Sequence, residues 1–400
     1  MRDGTLVYRA SPLFKASKLP RVAGFERFRE AVLAEDKTDI AFDHAAADMI
    51  NTLPQGLVRD RNWFGPGSSP KMTDCTVNHT KAISSFLVHD AVLSPASMSI
   101  LKPCGPNAPA EFGSPALVDI SVDNLGFWDG QISNLDENFV DATSGRHFLP
   151  DCARLPYFDC IALPVSGVGF PNYGHFLFDG LAAVAMHLRM IDDHRIRLVG
   201  PPLAPWQAEI LAALDCRDRY LAIDQPARFS KLLFTSMLSF HTSYPTRFIR
   251  PLYDTLRFRF GSIDPGRSRL IYLARGDQQR RILGNRDAVE ACFAEEGFDV
   301  VRPERLSVAE QVRLVASAVF VAGETGSNLA NAGFSDPGTT VLELMPDCYA
   351  DGWIRAMSRL LGHRWAVYFA ETTRGPRGEV LFTIDIGDLR AAIRRLVDSI

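Results

Sequence analysis

The stretch Val319-Phe320-Val321-Ala322-Gly323-Glu324-Thr325-Gly326-Ser327-Asn328-Leu329-Ala330-Asn331 decides the reading of the fold. Residues 319–322 are an apolar run of strand length. Residues 324–328 form a tight, glycine-bearing turn that leads into a helix. Working backward, Ser307-Val308-Ala309-Glu310 is a capping box, and it opens a helix reaching 318. A strand over 298–301 precedes it, then a helix over 285–296 stopped by Gly297, then a strand over 270–274. Working forward, a strand over 340–344, a helix over 351–361, a strand over 365–369 and a closing helix over 388–397 follow. Strand and helix alternate throughout, which predicts a parallel, doubly wound sheet with helices on its faces.

The alternation begins farther upstream. Strands are expected over Tyr157–Pro164, 195–199, 220–223 and 231–235, with helices over 174–190 and 205–214. The first 150 residues differ. They are rich in turn formers, such as Gly65-Pro66-Gly67-Ser68-Ser69-Pro70 and the Pro-rich run 103–109. Short apolar runs at 86–88 and 117–120 read as strands, and 25–33 as a helix. The expected organisation is an N-terminal region over 1–150 packed on the first domain, a first Rossmann-like domain over 151–262 and a second over 263–400. The junction falls near 260–266. Two such units in succession predict a cleft between them, with ligands beyond the carboxyl ends of the strands.

Composition excludes several classes. Hydrophobic residues are 46% and charged residues 22%, an ordinary globular balance that rules out disorder throughout. Lys plus Arg number 43 against 47 Asp plus Glu, a net charge of −4, so no bulk cationic field draws in nucleic acid. No apolar run of about 18 residues encodes a membrane helix, and Met1-Arg2-Asp3-Gly4 leads into no apolar signal core. The seven cysteines are widely spaced and lack a C-x-x-C pair, which fits scattered thiols in a reducing cytosol.

Four groups of residues could carry chemistry. Arg275, Arg280 and Arg281 follow a strand end, where guanidinium groups can grip a diphosphate; a solvated basic loop is the plainer reading. Gly326, Ser327 and Asn328 open a helix, whose unpaired N–H groups suit an anion, though an ordinary capped turn looks the same. Glu324 and Thr325 flank that turn as further candidate cleft residues. Glu343 stands inside a strand that should be buried, so it needs either an arginine or ligand hydroxyls. His175 and Asp179 are four apart at a helix start and share a face, which suits an acid–base pair; a core histidine and a dipole-favourable carboxylate would look alike. No nucleophile elbow, zincin helix or kinase set occurs, and no metal site is expected.

Together these residues resemble glycosyltransferase family 61, the group of capsular polysaccharide biosynthesis proteins. The resemblance rests on Ile271-Tyr272-Leu273-Ala274-Arg275, Arg280-Arg281-Ile282-Leu283, Gly326-Ser327-Asn328-Leu329-Ala330-Asn331, Val341-Leu342-Glu343-Leu344 and His175-Phe176-Leu177-Phe178-Asp179, which fall in family order over roughly half the chain. The family has His-Gly where this chain has Thr325-Gly326, and Asn-Glu where it has Asn285-Arg286. The resemblance implies an α/β, GT-B-like enzyme with two Rossmann-like domains facing a cleft. Such an enzyme moves a sugar from a nucleotide-sugar to a saccharide acceptor, inverting and without a metal, in capsular, exopolysaccharide or lipopolysaccharide synthesis. Asp179 is then the base, with His175 as its partner or as an alternate base. Arg275, Arg280, Arg281 and the turn 326–328 hold diphosphate, and Glu343 takes ribose hydroxyls. No cofactor beyond the nucleotide-sugar donor is expected. The expected location is the cytoplasm, with peripheral contact to membrane-bound assembly machinery. The alternatives are a nucleotide-sugar epimerase of similar fold and a non-catalytic carbohydrate- or nucleotide-binding homologue.

Overall fold

The computed structural model describes residues 13–44, 63–66, 83–95, 100–102, 116–118, 140–141, 146–147, 154–165, 170–187, 191–236, 248–261, 268–276, 281–348, 352–375 and 379–400. The Pro-rich run 103–109, most of the turn 65–70, and Arg280 lie outside these residues.

In chain order the strands are β1 (Leu13–Phe14), β2 (Ile40–Asp43), β3 (Trp63–Phe64), β4 (Ser84–Leu93), β5 (Ile100–Lys102), β6 (Ala116–Val118), β7 (Val140–Asp141), β8 (Arg146–His147), β9 (Tyr157–Pro164), β10 (Ile196–Gly200), β11 (Tyr220–Ala222) and β12 (Ala227–Thr235). They continue as β13 (Arg269–Leu273), β14 (Ile282–Leu283), β15 (Asp299–Val301), β16 (Ala318–Glu324), β17 (Thr340–Pro346), β18 (Arg364–Ala370), β19 (Thr372–Arg374) and β20 (Val380–Phe382). The helices are α1 (Phe25–Leu33), α2 (Tyr173–His175), α3 (Ala182–Met186), α4 (Pro205–Ala213), α5 (Ile249–Arg259), α6 (Arg286–Glu295), α7 (Val308–Ala316), α8 (Trp353–Leu361) and α9 (Ile386–Val397). The chain divides into two compact units, Met1–Met49 with Lys81–Tyr244, and Ile50–Thr80 with Pro245–Ile400.

The first unit is built on a mixed sheet in the order β1-β6-β5-β4-β12-β9-β10-β11, with β2 also paired to β4. The β12, β9, β10 and β11 half is parallel, as strand–helix alternation predicts. Strands β1, β2, β4, β5 and β6 from the first 150 residues join the same sheet, because β4 pairs antiparallel to β12 along its length, while among the described residues β7 and β8 pair only with each other. One apolar core holds both parts. Phe86 of β4 stacks on Phe234 of β12 with ring centroids 5.2 Å apart, and Phe158 of β9 stacks on Phe229 of β12 at 5.5 Å.

The second unit has a six-stranded parallel sheet in the order β15-β13-β16-β17-β18-β3. Its five C-terminal strands therefore run 2-1-3-4-5 in chain sequence. This order reverses between β13 and β16, where doubly wound sheets open a ligand crevice. All five match the sequence expectation within a few residues. The sixth strand, β3, comes from far upstream and has no signal of its own in a two-residue pairing. Local stops behave as read: Ser307 Oγ accepts from Glu310 N–H while the Glu310 side chain reaches back, and Gly297 takes the left-handed φ of 84° that ends α6.

Two expectations change. The helix after Gly326 is a 3₁₀ helix, Ser327–Phe334, longer than such helices usually run. Residues 329–334 are buried on every side, and neighbouring elements clamp them: Asn331 donates to Gln311 Oε1 at 3.0 Å, and the Tyr253 hydroxyl donates to the Ala330 carbonyl at 2.8 Å. The helix expected over 174–190 is α over Tyr173–His175, π over Phe176–Leu181, and α again over Ala182–Met186.

Candidate active site

The crevice end of the second sheet gathers several expected residues. Gly326 has φ 144°, and a Cβ there would stand 3.0 Å from both Cζ and Nη1 of Arg275. Only glycine lets the turn lie this close over the guanidinium. Arg275 is 8% exposed and donates from Nη1 to the Thr325 carbonyl at 2.7 Å. Asn328 Nδ2 donates to the Ala274 carbonyl at 3.3 Å, and Thr325 N–H to the Leu344 carbonyl at 2.8 Å, which ties the turn to the ends of β13 and β17. Ser327 is half-buried at the start of the 3₁₀ helix.

Beneath this turn lies a polar cluster. Glu324 is 1% exposed, and neither carboxylate oxygen has a hydrogen bond of normal geometry to a described residue. Arg286 Nε, in the first turn of α6, stands 3.7 Å from Oε1. Burial pushes Glu324 above the ordinary carboxylate range, against the opposing pull of the Arg275 and Arg286 charges. The Tyr272 ring stacks on Phe293 at 4.2 Å, and its buried hydroxyl has no hydrogen-bond partner among the described residues. Burial, then the Glu324 charge, drives that phenol well above its usual range. Thr325 Oγ1 is equally buried and equally unpartnered. Buried polar atoms in native proteins nearly always find partners, so the Glu324 and Tyr272 oxygens beside Arg275 and Arg286 point to water or a ligand.

Sequence reasoning did not assign Arg286 or Tyr272 to the site. A signal for Arg286 existed: a cation in the first turn opposes the helix dipole and needs an anion nearby. Arg281 sits just before β14 with a left-handed φ of 55°, a strained choice for arginine. Glu343 stands apart. It is fully buried, accepts from Trp365 Nε1 at 3.1 Å, and by strand alternation faces the opposite side of the sheet from Glu324.

In the first unit, His175 and Asp179 meet as their spacing predicts. His175 Nδ1 lies 2.7 Å from Asp179 Oδ2. Asp179 is 6% exposed, while the His175 side chain keeps 39% of its surface. The Asn172 side chain caps the segment by accepting from His175 N–H at 3.2 Å. Asp179 lies in the π-helical turn, a feature concentrated at functional sites. Behind it, the segment ends on a fully buried His187. Its Nδ1 faces the Ala183 carbonyl at 2.8 Å and therefore donates. Nε2 then accepts from the Ser85 hydroxyl at 3.0 Å, and Ser85 Oγ accepts from His44 Nε2 at 2.9 Å. Burial pushes the His187 imidazole down to about 4.

The arrangement supplies a proton acceptor steadied by an imidazole in one unit and an anion-suited crevice in the other. No helix of the described residues is long and apolar enough to cross a membrane. Curated proteins give no match to the chain. Residues 173–342 match the model of the family described as Glycosyltransferase 61. That segment begins at the π-containing helix and ends one residue before Glu343, so it contains both candidate sites. Through it the chain carries a glycosyltransferase family 61 segment, and that family indicates a glycosyltransferase enzyme.

Proposed function

We propose that this glycosyltransferase moves a sugar from a nucleotide-sugar to a saccharide acceptor with inversion, without a metal, in cell-surface or secreted polysaccharide synthesis in the cytoplasm. The GT-B arrangement is part of this proposal. The observation that carries it is the Arg275 guanidinium seated under Gly326 at the switch point of a doubly wound sheet.

In the proposed reaction Asp179 accepts the acceptor hydroxyl proton, and its contact with His175 Nδ1 orients the carboxylate. The acceptor oxygen bonds to the anomeric carbon as the bond to the diphosphate oxygen breaks, and that electron pair leaves on the nucleoside diphosphate. Arg275, Arg280, Arg281 and the turn of Gly326, Ser327 and Asn328 stabilise the leaving charge where a metal would otherwise serve. Glu343 is the proposed ribose acceptor, exchanging the Trp365 N–H for hydroxyls.

A panel of nucleotide-sugars, each incubated with and without acceptor oligosaccharides and with excess EDTA, tests the reading. Nucleoside diphosphate release that depends on acceptor and survives EDTA, with the anomeric configuration of the product inverted by NMR, is expected. Release restored only by Mn²⁺ or Mg²⁺, or a retained configuration, refutes it.

A further inference from the structure

The first unit carries a second polar hollow, of about 900 Å³, that the proposed chemistry does not use. It is lined by the opening residues of β9, by Asp90 of β4, by Arg228 and Ser230 of β12, and by the loop after α1. The His175 segment follows the far end of β9. At about 3.3 Å per residue, the two ends of that strand lie roughly 20–25 Å apart. Ligands of the parallel half belong at the carboxyl ends, so a hollow at the amino ends is a separate site.

The backbone there is shaped for it. Phe158 pairs with Phe229, but the next pair is Ile161 with Lys231, so β9 carries an extra residue at Asp159-Cys160. Directly across from Ser230 on the other side of β12, Asp90 adopts a left-handed φ of 49° inside a ten-residue strand. Two departures from regular strand geometry flank one residue of the hollow's wall. Bulges of this kind re-aim side chains near binding sites.

The lining chemistry specifies a ligand. Tyr157 leaves 56% of its surface exposed at the rim, a flat apolar platform with the Arg228 guanidinium 5.8 Å from its centroid. Arg228 grips Asp90 through two N–H groups, Nη2 to Oδ2 at 2.8 Å and Nε to Oδ1. Cations and carboxylates interleave here, Lys37, Arg195, Arg228 and Lys231 with Glu35, Asp90 and Asp159. Arg195 is engaged by Asp193, Arg228 by Asp90 and Lys231 by the Val32 and Ala34 carbonyls, so the hollow presents no cationic face suited to a polyanion. A hydroxyl both donates and accepts, and interleaved donors and acceptors beside an aromatic face suit a ligand dense in hydroxyls with apolar C–H faces.

We infer that the hollow around Tyr157, Arg228 and Asp90 is a secondary saccharide-binding site that holds a distal part of the acceptor chain. The inference rests on the glycosyltransferase reading for the source of the saccharide. Its consequence is avidity: a chain held at two points reaches the transfer site at raised effective concentration.

The test is an array of defined neutral oligosaccharides probed with the full-length chain, followed by calorimetry on the strongest hit. The expected result is a hit whose affinity falls at least tenfold in Tyr157→Ala and in Arg228→Met. Tyr157 is exposed, so its removal leaves folding intact, and an unchanged melting curve verifies this. Absence of any saccharide hit, or a hit that both hollow variants still bind, overturns the proposal. Nucleoside diphosphate binding is measured in parallel: its absence counts against the donor reading alone, and its persistence in Tyr157→Ala shows that the two sites are independent.

Discussion

The two candidate sites are built by opposite means. In the second unit, topology makes the site: strand order reverses between β13 and β16, and a glycine turn then needs only to sit at that reversal. In the first unit the site is local, His175 and Asp179 meeting four positions apart where an α turn passes into a π turn. The titrations differ in the same way. The crevice holds a carboxylate pushed up by burial, and the helix rests on an imidazole pushed down by burial. Acid therefore favours the folded form at the first group and disfavours it at the second.

The largest expected effect tests the first unit. Asp179→Asn keeps the shape and removes the basic group, so turnover should fall by roughly 10²–10⁴ while donor affinity holds. If Asp179 serves only the helix dipole, turnover stays normal and stability drops by about 0.3–1 kcal/mol. Transfer rate and melting measured on the same variant separate the two. His187 gives the next effect. Its folded value near 4 lies below the ordinary 6.5, so its contribution is complete above pH 6.5 and is lost as pH falls through 4. The loss is roughly 3 kcal/mol at most. Melting followed from pH 7 to 4 should show it, and His187→Gln should flatten that slope. An unchanged slope assigns the acid sensitivity elsewhere.

How much of this was legible follows from the same contrast. The five strands of the second sheet were readable because each is an apolar run bounded by a capped helix or a glycine. Gly326, Arg275 and Asn328 could be picked out because strand ends are where such sheets bind. The π turn was not readable. Phe176 to Leu181 are all buried, so no polar stripe marks the phase of the helix, and an inserted residue leaves no trace in the pattern. The pairing of β4 with β12 was equally hidden, since contact across that distance in sequence depends on register and not on local composition. Arg286 was visible as a misplaced cation, but its carboxylate came from a strand thirty-odd positions on.

Arg275→Ala and Arg281→Ala sharpen the crevice side. Each should weaken nucleoside diphosphate binding by about 1.5–3 kcal/mol, the scale of a hydrogen bond to a charged group. Calorimetry on both variants is the check. Unchanged affinity in both places the donor elsewhere. A loss in Arg275→Ala alone confines the grip to the residue under Gly326, and makes the strained φ of Arg281 a matter of loop geometry.

Glu324→Gln should have the smallest effect, and the one whose sign is most telling. The folded chain holds the Glu324 proton more tightly than the unfolded chain does, because burial penalises the charged form. Its contribution is therefore fully present below the ordinary carboxylate range and is lost as pH rises through the raised value. Glutamine keeps the size and carries no titrating group. The variant should melt higher relative to wild type at pH 7 than at pH 4, the reverse of the His187 trend. Binding an anionic diphosphate beside Glu324 should raise its proton affinity further, so wild type should take up protons on binding and the variant should not. Calorimetry in buffers of different ionisation enthalpy reads this directly. A variant equally destabilised at every pH would instead make the 3.7 Å contact with Arg286 a plain structural ion pair, and the crevice would lose its titrating carboxylate.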